Sequence, residues 1–172
     1  MTAKLRPKLA LSAAVAALGF GVLQLAPAPA RSNPPVHPGS SIQDNQTVPP
    51  RVQALLCRAC ANCHSNATEW PWYSAVAPAS WLVRDDVQRA RKAMNFSEWR
   101  RPADPWPSMA VARLAAVCAA VQEDVMPPRS YRLLHPEARL SAEEKRTLCD
   151  WTNAGMLALT SRRGNDTAAR PN

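Results

Sequence analysis

Glycine and histidine are both scarce in this chain, and each shortage narrows the possibilities. Only five glycines serve 172 residues, against seventeen prolines. Tight β-hairpins draw on glycine for positive backbone angles, so a hairpin-rich β fold is a poor fit, and short helices stopped by proline are expected instead. Three histidines, at positions 37, 64 and 135, leave little material for a multi-histidine metal centre. A second close pair of cysteines is also missing. Beyond Cys57, Cys60 and Cys63 the chain holds only the isolated Cys118 and Cys149, so a zinc module would lack its second ligand pair. No strand and helix alternation surrounds the cysteines, as a thioredoxin-like redox unit would require.

Acids are the minority charge, 13 against 21 bases, for a net charge of +8. Lys4, Arg6 and Lys8 account for part of the excess, because residues 1–30 contain no acid. The other bases are interleaved with acids, as in Arg84-Asp85-Asp86 and Glu143-Glu144-Lys145-Arg146. That pattern describes solvated helix faces, not a basic stripe with stacking aromatics, and no nucleic-acid partner is expected.

What the chain does contain is Cys60-Ala-Asn-Cys63-His64, the Cys-x-x-Cys-His form of a covalent c-type haem site. Two intervening residues set the sulfurs about one helical turn apart, within reach of both vinyl groups on one haem edge. Cys60 and Cys63 are therefore the thioether candidates, and His64 the proximal iron ligand.

Residues 1–30 read as an export element. A basic start is followed by an apolar run from Leu9 to Ala26, broken by Ser12, Gly19, Gly21 and Gln24, and then by Ala28-Pro29-Ala30. The expectation is a retained inner-membrane anchor over residues 9–26, the alternative being cleavage before Arg31 to give a soluble periplasmic protein. Either way the rest of the chain lies on the periplasmic side, where haem c is attached and disulfides form. Residues 31–48 are polar and proline-rich and read as a flexible linker, with His37 solvated. A haem-binding domain is expected over 49–160 and a disordered tail over 161–172.

Within that domain Pro50 opens a helix whose Val52, Leu55, Leu56, Ala59 and Cys63 share one face. Cys57, one turn before the motif, reads as a small buried residue. Trp70-Pro-Trp72-Tyr73 follows the motif directly, and at least one of these rings is expected to wall the haem. A second helix is expected from Pro78 to Met94, with Leu82, Val83, Val87 and Ala90 on its apolar face. A third begins at Ser108 as N-cap and carries Val111, Leu114, Cys118, Val121 and Val125 to a stop at Met126-Pro127-Pro128. A methionine held extended before proline presents its thioether well, which makes Met126 the candidate distal iron ligand, with Met94, Met109 and His135 as competitors. The last helix starts with the capping box Ser141-Ala-Glu-Glu144 and runs toward Gly155. Cys118 and Cys149 are expected to pair, although Cys57 is an alternative partner for either, and all three thiols staying reduced is the other option.

Several separated blocks then resemble a known family. Ser32-Asn-Pro-Pro-Val, Cys60-Ala-Asn-Cys-His-Ser-Asn-Ala-Thr-Glu-Trp-Pro-Trp-Tyr-Ser, Val-Ala-Pro-Ala-Ser-Trp-Leu-Val, Asn-Phe-Ser-Glu-Trp, Met-Pro-Pro and Leu-His-Pro-Glu-Ala-Arg-Leu-Ser occur in order over residues 32–155. Together they resemble the bacterial haem-binding domain family of small c-type cytochromes. The resemblance implies a mainly α, cytochrome c-like helical domain with one haem c, exported and often tethered by its N-terminal segment. It assigns Cys60, Cys63 and His64 to the haem and places Met126 in the family's Met-Pro block. Cys57 lies outside that pattern.

With both axial positions filled, the expected function is one-electron transfer to a redox partner protein and not catalysis. If Met126 does not bind, an open iron makes the domain a gas or redox sensor or a weak peroxidase, with His135 as the one histidine available to act beside it.

Overall fold

A computed structural model describes residues 5–168 as a helical chain, with no strand among the described residues. Helix α1 spans Leu5–Leu23, α2 Ile42–Asn45, α3 Pro50–Ala59, α4 Ala61–His64, α5 Ala79–Ala93, α6 Ser108–Gln122, α7 Arg129–Leu134 and α8 Ala142–Ala168. Short 3-10 turns at Trp72–Ala75, Phe96–Glu98 and Pro136–Ala138 link them.

The body is organised by α6 and α8. Leu114 packs at Gly155, Cys118 is bonded to Cys149, and Asp124 is bonded to Lys145, so the two helices run antiparallel. Gly155 does not end the last helix. A Cβ there would come within 2.9 Å of Leu114 Cδ1, so the missing side chain permits a close helix crossing. The expected tail is likewise helical as far as Ala168, and its last residues, 169–172, lie outside the described residues, as do residues 1–4. The capping box is present: Ser141 N donates to Glu144 Oε2 at 2.8 Å and Glu144 N to Ser141 Oγ at 3.2 Å.

Leu114, Leu148, Leu56, Val52 and Trp99 form the centre of the core, each almost fully buried. Each aliphatic side chain buried this way is worth about 1.5–3 kcal/mol. One base lies inside as well. Arg113 donates to the Trp99 carbonyl, faces the Trp99 ring and pairs with Asp104 at 2.8 Å, which compensates its desolvation.

Three further expectations are revised. Among the described residues no helix is long and apolar enough to cross a membrane, so the anchor over residues 9–26 is unsupported. The physical reason is length: within α1 the apolar run from Leu9 to Leu23 is fifteen residues, and a span needs about 20. The expected linker is not free either. Ile42 is fully buried, and residues 24–40 form a strap hydrogen-bonded to the body. Ala77 N donates to Gln24 Oε1 at 2.9 Å, Arg84 Nη1 to the Pro29 carbonyl at 3.0 Å, and Arg91 Nη1 to the Ser32 carbonyl at 2.7 Å. Farther along, Asn66 donates to Pro35 and Ser40 to Ser97. Third, α6 ends at Gln122 instead of continuing to Met126, and Ser108 is its first helical residue, with its hydroxyl bonded to the Pro105 carbonyl.

Candidate haem site

The motif occupies the junction of α3 and α4. Cys60 leaves helical geometry, at φ −129° and ψ −41°, and the chain restarts in a new direction. Its carbonyl accepts hydrogen bonds from Cys63 N at 3.1 Å and His64 N at 2.9 Å, so one tight turn gathers all three motif residues. Asn62, between the cysteines, fastens this turn to its surroundings. Its carbonyl accepts from the Thr68 hydroxyl, its Oδ1 from Glu69 N, and its amide donates to the Tyr131 hydroxyl on α7 at 3.0 Å.

His64 is held from behind. Its Nδ1 lies 2.9 Å from the Met94 carbonyl, which can only accept, so Nδ1 carries the hydrogen and Nε2 is left with its lone pair. Burial holds the imidazole pKa below its ordinary value, with the Met94 bond acting in the opposite sense, and the ring is neutral at neutral pH. The residues after Met94 make the platform: Phe96 lies 5.9 Å from the imidazole, centroid to centroid, and Asn95, Ser97 and Asn66 bond to one another beneath it. The Asn-Phe-Ser block is thus the support of the candidate ligand.

Cys60 and Cys63 are free thiols. Burial pushes them up to about 12 and about 11, Cys63 with a further rise from Asp86, so both keep their protons at neutral pH. Cys57 differs from expectation. It is exposed on α3, beside the Gln53 amide, and is not a core residue.

Met126 lies in the turn after α6, 38% exposed. That turn depends on Asp124, which has a left-handed φ of 59°. Its carboxylate accepts from Arg132 at 3.0 and 3.1 Å and from Lys145 Nζ at 2.7 Å, and these bonds hold it below the usual carboxylate range. Met126 and the motif are linked through α7, whose Arg132 grips Asp124 and whose Tyr131 meets Asn62. Of the competitors, Met94 serves through its backbone, Met109 is a half-buried residue of α6, and His135 caps α7 within a bonded network.

The residues fit a haem. A neutral imidazole with a free Nε2 sits beside two thiols, and large apolar side chains stand exposed: Trp72, Leu82 at 66%, Leu133 and Leu134. Leu82 was expected on the packed face of α5, where Val87 does lie. Sequence reasoning also passed over Asn62, Asp124 and the partners of His135. A carboxylate two residues after His135, in His135-Pro-Glu137, was the available signal for the last.

Comparison with known proteins agrees. Over 112 residues the chain is 25% identical to the cytochrome c peroxidase Ccp of Escherichia coli (strain K12), a match covering 65% of this chain and 23% of that protein. The chain therefore spans about a quarter of the length of this relative. No solved structure matches it. The haem-binding domain profile matches residues 18–154, which include the motif, its Asn-Phe-Ser support and the Met126 turn, and the chain belongs to the haem-binding domain family.

Proposed function

We propose that this protein is a one-haem c-type electron carrier, with thioethers to Cys60 and Cys63, His64 as proximal iron ligand and Met126 as distal ligand. The bond between His64 Nδ1 and the Met94 carbonyl carries the reading, because it fixes the tautomer and ring orientation that an iron-binding Nε2 needs. Haem, when bound, supplies a reversible one-electron couple. The chain's own residues orient and enclose it. The Met94–Ser97 turn holds the imidazole, the Asp124 clamp holds the Met126 turn, and the exposed apolar side chains offer a cover from which water is excluded. Filling both axial positions leaves none for substrate, hence a carrier that serves a redox partner protein. The Cys118–Cys149 disulfide supports a periplasmic location, since such bonds persist in oxidising compartments.

Two measurements test this. The mass of the exported chain should exceed that of the polypeptide by one haem, and no adduct, or two, overturns the assignment. The oxidised protein should show a methionine-to-ferric charge-transfer band that disappears in Met126→Ala. A wild type that is already high-spin and binds carbon monoxide readily when reduced defeats the carrier and favours an open-site sensor or peroxidase.

A further inference from the structure

A set of aromatic and acid–base groups adjoins the motif turn, joined to it by the bond from the Asn62 amide to the Tyr131 hydroxyl. The Tyr73 hydroxyl lies 2.7 Å from His135 Nε2, and His135 Nδ1 lies 3.0 Å from Glu137 Oε1. A carboxylate offers only lone pairs, so Nδ1 carries the hydrogen, and in the neutral ring Nε2 accepts from the Tyr73 hydroxyl. Carboxylate, imidazole and hydroxyl are thus wired in series: a proton leaving the hydroxyl meets a base, and the imidazolium that results meets a counter-charge. Tyr131 stacks on His135, with centroids 4.2 Å apart and planes at 16°, giving the cation an aromatic face.

Tyr131 also supplies an internal contrast. Its hydroxyl faces the Asn62 amide, a hydrogen-bond donor, and so has no base there. Burial, with Tyr131 and Cys63 nearby, pushes the Tyr73 phenol above its ordinary value, so it is protonated at neutral pH and has a proton to pass on when it is oxidised. Trp72 stands edge-on to Tyr73 at 5.8 Å and is 79% exposed, placing the pair at the surface.

We propose that Tyr73 is a redox-active residue. It gives one electron to an oxygen-centred radical of the kind peroxides generate near iron, reducing that radical to its anion, while the Tyr73 O–H bond breaks and its proton forms an N–H bond at His135 Nε2. The products are a neutral tyrosyl radical and an imidazolium paired with Glu137. Tyr73 is an oxidisable side chain close to Cys63, where it intercepts oxidising equivalents before they reach sulfur.

The test uses the haem-loaded full chain and a photogenerated ruthenium(III) polypyridyl complex as an external one-electron oxidant, so the outcome is independent of whether Met126 binds iron. Freeze-quenched electron paramagnetic resonance should show a tyrosyl radical in the wild type and in Tyr131→Phe but not in Tyr73→Phe. His135→Gln should slow its formation at least about tenfold and abolish its deuterium isotope effect, because a positioned base contributes about 10² or more to a proton transfer. Glu137→Gln, which leaves the imidazole in place, should slow it less. No tyrosyl radical in the wild type, a signal that persists in Tyr73→Phe, or a rate indifferent to His135→Gln overturns the proposal.

Discussion

Between α6 and α8 the packing is apolar and covalent: Leu114 fills the space over Gly155, and a disulfide joins Cys118 to Cys149. Around α4 the chain is held by directional polar bonds, from Asn62, Asn66, Asn95 and Arg91, and large apolar side chains face outward. The first region buries what it needs to bury using its own residues. The second fixes the directions of the candidate haem-site side chains and leaves apolar surface exposed. Stability and site geometry therefore rest on different residues, and substitutions should separate them.

The largest separation is expected from Cys118→Ala with Cys149→Ala. Opening a loop of this size should lower stability by about 3 kcal/mol, read by denaturant titration, while the haem-loaded spectrum keeps its form. Loss of haem incorporation along with stability would show that the two regions are not separable.

Arg91→Ala comes next, acting on the other region. Arg91 bonds to the Ser65 and Ser32 carbonyls, Asn33 Oδ1 and Thr68 Oγ1, so it fastens both the strap and the turn after His64. Its removal should cost about 1–2 kcal/mol and raise amide exchange in residues 31–40 selectively. Arg91→Lys should rescue little, since an ammonium cannot reproduce the guanidinium fork. Exchange that rises equally in α6 and α8 would contradict this placement.

At Gly155 the packing of α6 on α8 sets a limit on volume. Gly155→Val should destabilise by about 1–2 kcal/mol through overpacking against Leu114. Gly155→Ala should lie near neutral, because a helix-propensity gain of about 1 kcal/mol offsets a smaller clash. Equal losses for Ala and Val would mean that backbone conformation, and not space, demands the glycine.

The smallest effect is one of pH, measured on the haem-free chain. The folded His64 pKa lies below the unfolded value of 6.5, so the unfolded state binds more protons in acid. The stability this confers is fully present above 6.5 and is lost as pH falls through the folded pKa. A thermal midpoint followed downward from neutral pH should drop more steeply in the wild type than in His64→Gln. Parallel profiles would locate the acid sensitivity elsewhere.

Much of this organisation was legible in the sequence where it depends on neighbouring residues. Pro50 and the Ser141 box start helices because capping is local, and the Cys60–His64 turn is read from spacing alone. What depends on distant partners was not legible. The strap looked like a linker because its composition is polar, yet its bonds come from Arg84, Arg91 and Asn66, far along the chain. Gly155 reads equally as a helix stop or as a close crossing, and only Leu114 decides between them. Leu82 satisfies helical periodicity, but periodicity does not say whether protein or cofactor covers a face.

Position 124 has a consequence for how this domain tolerates sequence change. A φ of 59° admits glycine, asparagine and aspartate at small cost and penalises the rest. The pairing with Arg132 and Lys145 disfavours two of these three, since neither an amide nor a hydrogen offers the two cations a negative charge. In a library randomised at this codon and sorted on resistance of the folded chain to proteolysis, asparagine and glycine should form a weak second tier below aspartate, and β-branched residues should vanish first. Randomising codons 132 and 145 with it should enrich asparagine or glycine only where those positions lose positive charge.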